Sequence, residues 1–183
     1  MKKKKKLKVE DEDVVEEVAV KKDDPNAVSN FRISEPLKMK LKEKGIEALF
    51  LIQAMTFNTI LDGSDLVGRA RTGQGKLLHL ELANQVFADF EVYGSSLGLA
   101  ACAVYGGAPY GAQEAKLRRG VDVIIGTLGR IKDHIERKNI DLSHLKFRVL
   151  DEADEMLRMG FVDDVELILG KVQDVTKVQT LHL

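Results

Sequence analysis

Five short, almost uninterrupted apolar runs are spaced along the chain, and between them apolar residues recur at helical intervals. The runs are DLVGRA (65–70), LAACAVY (99–105), VDVIIG (121–126), FRVLD (147–151) and KVQTLHL (177–183). A run that is apolar on successive residues, rather than alternate ones, suits a strand covered on both faces. The intervening text predicts a helix over about 76–93 and others within 106–120, 127–138, 152–160 and 161–172. Ahead of the first run, Ser34 is placed to cap a helix that admits Pro36 in its first turn and stops at Gly45. A second helix fits 50–60, closed by Asp62 and Gly63. Strand and helix alternating at this pace predict an α/β fold, a parallel sheet with helices on both faces. Such sheets bind ligands at the carboxyl ends of their strands, so the residues just after each run are the ones to read for chemistry.

Composition changes this picture only at the amino end. The formal charge of −1 hides two opposed blocks. MKKKKKLK has six lysines in eight residues, and the following VEDEDVVEEVAVKKDD sets eight acids against two lysines. Blocks of like charge repel and bury nothing, so residues 1–28 are expected to form a disordered tail and 29–183 a single folded unit. The lysine run reads either as a nuclear address or nucleic-acid arm, or as a solubilising tail with no reader. A single cysteine, Cys102, leaves no disulfide framework and favours a reducing compartment. No apolar run approaches the roughly 18 residues of a membrane span, so no membrane partner is expected.

The first strand is followed by Ala70, Arg71, Thr72, Gly73, Gln74, Gly75 and Lys76. Two glycines let backbone N–H groups face a phosphate, the helix starting near Lys76 aims its N-terminal dipole at the same anion, and Lys76 suits the outer phosphates. Against the full phosphate-loop pattern, Ala70 replaces the first glycine and Leu77 the hydroxyl residue, so the run alone is a weak signal, with a structural turn as its alternative. The fourth strand supplies a partner 75 residues after Lys76: Asp151 and Glu152 stand where a phosphate-loop enzyme places a carboxylate on hydrated Mg²⁺ and a second that polarises the attacking water. The alternative is that Asp151 and Asp154 merely cap the next helix.

Asp151, Glu152, Ala153 and Asp154 are the name-giving motif of the DEAD-box ATP-dependent RNA helicases, and residues 70–76 match that family's A-x-T-G-x-G-K. Residues 30–181 resemble the first RecA-like domain of its nucleolar branch, most closely the plant members. The resemblance implies ATP and Mg²⁺ as cofactors, bound by residues 70–76 with Lys76, Asp151 and Glu152 catalytic and Asp151 holding the metal through water. It implies that Gln53, in a segment similar to the Q motif, reads the adenine edge; Phe31 either stacks on that base or belongs to the core. Gly106 and Gly107 match a glycine doublet, and Thr127, Leu128, Gly129 and Arg130 resemble T-P-G-R. The implied partner of Gly106, Gly107, Thr127, Gly129 and Arg130 is the RNA backbone, read without regard to base. A nuclear, even nucleolar, location goes with the family; the composition alone allows a cytoplasmic one.

Departures from the family pattern set the remaining expectations. Leu77 removes the loop's Mg²⁺ ligand, a loss on the order of 10²-fold in rate. Lys76 is followed within five residues by Glu81, Leu82 and Ala83, which match the end of the family's P-T-R-E-L strand. Five residues cannot hold a helix, a reversal and a strand, so two family helices are expected to be fused and one strand lost. Leu77, Leu80, Asn84 and Phe87 would then line one stripe of the fused helix. His79 and Leu80 replace the RNA-contacting P-T-R. The text stops at Thr180, Leu181, His182 and Leu183, where the family continues through S-A-T to a second RecA-like domain. The expectation is an RNA helicase-family domain with impaired catalysis; the alternatives are a non-catalytic RNA- or nucleotide-binding fragment, a chain completed in trans by a second domain, or a truncated gene product.

Overall fold

The computed structural model describes residues 24–67, 79–172 and 178–182. Seven α-helices and five strands lie in these residues. In chain order they are α1 (Glu35–Glu43), α2 (Leu51–Leu61), β1 (Leu66–Val67), α3 (His79–Gly94), β2 (Ala101–Val104), α4 (Tyr110–Arg118), β3 (Val123–Gly126), α5 (Leu128–Glu136), β4 (Phe147–Leu150), α6 (Ala153–Arg158), α7 (Val162–Gly170) and β5 (Gln179–His182). Each apolar run holds a strand, and each interval between them at least one helix. Ser34 precedes α1 as expected, but its hydroxyl makes no capping bond; α1 starts on Glu35 with Pro36 in its first turn, and Gly45, just past its end, has a φ of +71° that lets the chain reverse. Asp62 caps α2 and Gly63, at φ +85°, follows it.

All strand pairs are parallel, but the sheet is in two pieces. One has the order β1-β5-β4, the other pairs β2 with β3. The two are held in one molecule by helices. The core under β2 and β3 is built of Cys102, Val104, Leu117, Ile135 and Ile140, and Ile168 of α7 packs against it. Lys132 of α5 and Asp164 of α7 close an ion pair of 2.6 Å. Among the described residues β4 ends one piece with no ladder on its outer edge.

Helix α3 runs unbroken through Glu81, Leu82 and Ala83, so this text, strand-like by resemblance, is helical here. Its buried line is not the expected stripe. Ala83 is buried, Phe87 and Phe90 are half-buried, and Leu80 and Val86 are exposed. Gly94, the last residue of this helix, meets the Phe90 ring closely enough that a Cβ would lie 2.6 Å from it.

The folded part begins before the composition boundary at 28. Ala27 bridges Ala48 antiparallel, Val28 N–H donates to Glu47 at 2.9 Å, and Leu49 N–H donates to Asn26 at 2.8 Å. Val28 is buried, so residues 24–28 belong with the domain and not with the charged tail. The rest of that tail, residues 1–23, lies outside the described residues.

Candidate functional site

Parallel strands put all their carboxyl ends on one edge, and the register fixes what meets there. Val67 and Leu150 are both level with His182 of β5. The residue that leads into the phosphate segment and the residue before Asp151 therefore flank the end of β5, two strand spacings or about 10 Å apart. Ala70, Arg71, Thr72, Gly73, Gln74, Gly75, Lys76 and Leu77 themselves lie outside the described residues.

Asp151 and Glu152 form the turn between β4 and α6. Asp151 is exposed, and its Oδ1 accepts the Glu152 N–H at 2.9 Å. Neither carboxylate caps α6: the capping position falls to Glu152, which makes no side-chain capping bond. Glu152 is held at φ +51°, ψ +40°, a left-handed conformation that costs about 1–2 kcal/mol for a residue with a Cβ. The only other non-glycine residue with positive φ among those described is Lys138, where it ends α5. Glu152 has no such excuse. Its strain sits at the strand edge beside Asp151.

The second sheet has its own carboxyl edge, made by β2 and β3. Gly106 and Gly107 turn the chain after β2, and Thr127 follows β3, its N–H donating to Val104 at 3.1 Å. Thr127 stands before α5 without capping it through its hydroxyl, so the first N–H groups of α5 point out at the same edge. A Cβ at Gly106, Gly107 or Gly129 would meet nothing within 4 Å. Gly126 is the opposite case: a Cβ there would lie 2.1 Å from the Val104 carbonyl oxygen, so this glycine is required by the strand pair itself.

Arg130 is occupied within the protein. Its Nη1 donates to the Ala108 carbonyl at 2.9 Å and to Gln113 Oε1 at 3.0 Å, and its guanidinium lies 4.0 Å over the Tyr110 ring. Arg137, two turns further along α5, lies 4.2 Å from the same ring, and the Tyr110 hydroxyl donates to Asp133. That hydrogen bond, with burial and the Asp133 charge adding to it, raises the phenol above its ordinary range. Gln113 and His134, both buried, belong to the same network, carry no motif and were not marked by the sequence.

Gln53 is exposed, and its amide oxygen accepts the Phe50 N–H at 3.0 Å, securing the start of α2. Phe31 is half-buried and meets Phe57 of α2 edge to face at 5.1 Å. Among the described residues no three His, Cys, Asp or Glu side chains gather as a metal cluster. No helix among them is long and apolar enough to cross a membrane.

Fold and site together define an α/β domain whose carboxylate pair follows β4 of one parallel sheet and whose glycine turns and Thr127 follow β2 and β3 of the other. The model of the DEAD/DEAH box helicase family matches residues 79–183, more than half of the chain. DEAD-box ATP-dependent RNA helicase 7 of Arabidopsis thaliana is 60% identical over 201 residues, covering 91% of this chain and 30% of that protein. Nucleolar RNA helicase 2 of Rattus norvegicus is 42% identical over 173 residues, 78% of this chain and 22% of its own length. The crystal structure of a DEAD box protein from the hyperthermophile Methanococcus jannaschii matches with a TM-score of 0.76 and 31% identity, over 85% of this chain and 49% of that one. The chain belongs to the DEAD/DEAH box helicases. It spans less than a third of the length of these curated relatives. The Arabidopsis alignment, at 201 residues, is longer than the whole chain of 183, so the relative carries a segment that this chain lacks.

Proposed function

We propose that the chain is an ATP- and RNA-backbone-binding domain of the RNA helicase class whose own hydrolysis is impaired at the Lys76–Leu77 join. The observation that carries this reading is the register that sets Asp151 and the entry to the phosphate segment on either side of β5. Mg²⁺ fits the residues present in a limited way. It takes one or two carboxylates and completes its shell with water and phosphates, and Asp151 is an exposed carboxylate at the right edge, whereas Leu77 brings no oxygen. Bound ATP and Mg²⁺ would supply the phosphoryl group and the charge that neutralises it. Asp151 would hold the metal through its water shell, Glu152 would accept the proton of the attacking water, and Lys76 would hold the outer phosphates. Gln53 and Phe31 lie at the adenine end.

RNA is held along its sugar-phosphate backbone by the open turns at Gly106, Gly107, Thr127 and Gly129, next to Arg130. Gly107 is required by its own φ of +84°, whereas Gly106 and Gly129 are required by neither packing nor conformation and keep space clear for a ligand. Gly129→Ala is therefore expected to leave the fold intact, or to stabilise it by about 0.5–1 kcal/mol as an alanine within a helix does, and to weaken RNA binding. A thermal melt beside an RNA titration checks both arms. A second helicase domain in trans, and a nuclear or nucleolar location read from the lysine run, go with the same proposal; exclusion of a fluorescent fusion from nuclei would count against the latter.

The deciding measurement is ATP turnover, with and without single-stranded RNA, for the chain and for Leu77→Thr. Both are expected to bind nucleotide and RNA, the chain to turn over near background, and the variant to exceed it on the order of 10²-fold. Full RNA-stimulated turnover by the unmodified chain would overturn the impairment. Failure to bind either ligand would overturn the whole reading. An equally inactive Leu77→Thr variant would assign the loss to the missing segment.

A further inference from the structure

The glycine turn after β2 has no support of its own, since neither Gly106 nor Gly107 has a side chain to pack. Support arrives from two helices. Gln113 of α4 donates its Nε2 to the Tyr105 carbonyl at 3.0 Å, just before the glycine pair. Arg130 of α5 donates to the Ala108 carbonyl at 2.9 Å, just after it. The two side chains are joined, because Gln113 Oε1 accepts Arg130 Nη1 at 3.0 Å and lies 2.9 Å from His134 Nε2. The ring roles follow from chemistry. Gln113 Oε1 only accepts, so His134 Nε2 carries the proton, and Nδ1 accepts from Asn139 Nδ2 at 3.2 Å. Gln113 is 5% exposed and His134 fully buried. Every polar atom of the Gln113 amide is thus used, inside the protein, on the geometry of one turn.

We propose that Gln113 and His134, with Arg130, are positioning residues that preset the Gly106–Gly107 turn for the RNA backbone, and that Arg130 acts on RNA through this turn. This rests on the reading of that turn as an RNA contact. A carboxamide is needed at 113 because one group must both donate, to Tyr105, and accept, from Arg130 and His134. A pair of glycines loses more freedom on ordering than any other pair of residues. Fixing the carbonyls on both sides removes that loss before RNA arrives, which strengthens binding without adding a contact.

The test uses the full chain and a fluorescein-labelled single-stranded oligouridine, with affinity followed by anisotropy across a salt series. Backbone order parameters of Gly106 and Gly107 are measured by ¹⁵N relaxation on the same variants. Gln113→Leu is expected to weaken RNA binding about tenfold and to lower the order parameters of the glycine pair while those of β3 hold. Arg130→Met should do the same, the double variant should lose no more than either single one, and the salt slope should stay constant because no phosphate contact is removed. His134→Gln restores a donor toward Gln113 and should retain affinity, whereas His134→Phe should behave like Gln113→Leu. The inference is overturned if Arg130→Met lowers the salt slope by about one and its loss adds to that of Gln113→Leu. It is equally overturned if the glycine order parameters are unmoved. A wild-type chain that binds no oligouridine at low salt would instead sink the RNA reading, and the order parameters would still decide whether the turn is clamped.

Discussion

At the residue scale, His134 is the group whose environment is most at odds with its chemistry. Burial, then the charge of Arg130, pushes its imidazole below the ordinary value; Arg137 adds to this, and Glu114 and Asp133 oppose it. Between the lowered folded value and about 6.5, the unfolded chain binds the proton and the folded one does not, so unfolding gains as pH falls. The contribution is complete above about pH 6.5 and is lost progressively below it, through the folded value. Urea midpoints taken from pH 7.5 to 5.5 should fall for the wild type relative to His134→Gln, which cannot titrate; parallel curves would remove His134 as the cause. Gly126 makes a second residue-scale case. Its Cβ-free backbone lies against Val104, so Gly126→Ala must part β2 from β3 and is expected to cost about 1–3 kcal/mol, readable in a denaturant titration. Nothing in VDVIIG distinguished this glycine from an ordinary strand end, because the close approach exists only once β2 is beside it.

At the scale of the element, β4 is the strand with most left unsatisfied. Phe147 and Val149 share one of its faces and remain 60% and 53% exposed. Arg148, on the other face, reaches Thr180 Oγ1 through Nε at 2.6 Å but buries Nη1 without a partner. An apolar strand at an open edge is a template for another chain. Concentration-dependent association is therefore expected for this protein, and Phe147→Lys should suppress it with a change in stability within about 0.5 kcal/mol. Sedimentation velocity over a concentration series tests this, and association unchanged by the lysine would clear β4. Helix α3 shows the complementary limit of reading by period. The fused helix was legible, because five residues leave no room for anything else, but the buried face was not. Leu80 and Val86 suit a core by composition, yet Ala83 faces it, since α3 lies close against β2, β3 and α1, where only a small side chain fits.

At the scale of the molecule, the α/β order was legible because short, mostly apolar runs alternate with helical stretches that carry their own turn signals. That Asp151, Gly106 and Thr127 each stand at the carboxyl end of a parallel strand then followed from the strand–helix order alone. The division of the sheet was not legible, since strand pairing is a relation between distant segments. Nor was the clamp around Gln113, which joins the Tyr105 carbonyl, Arg130 and a histidine that stands in no motif. The division leads to a last prediction. The Arabidopsis relative aligns over more residues than this chain possesses, and among the described residues β4 has an outer edge with no ladder on it. Returning the relative's unmatched segment between Lys76 and Leu77 should supply the absent strand and cover Phe147 and Val149. Burying the exposed half or so of those two side chains contributes about 2–3 kcal/mol, which for a domain of this size raises the unfolding midpoint by roughly 5–10 °C. The same insertion should abolish association, because it fills the edge that Phe147→Lys only charges. Calorimetry and sedimentation on the two chains read these outcomes independently. A higher midpoint with association intact would place the sticky surface elsewhere, and the exposed start of α2, with Phe50, Leu51 and Met55, would be the next surface to test. An unchanged midpoint would mean that the helices alone already hold the two pieces of sheet as firmly as a continuous ladder would.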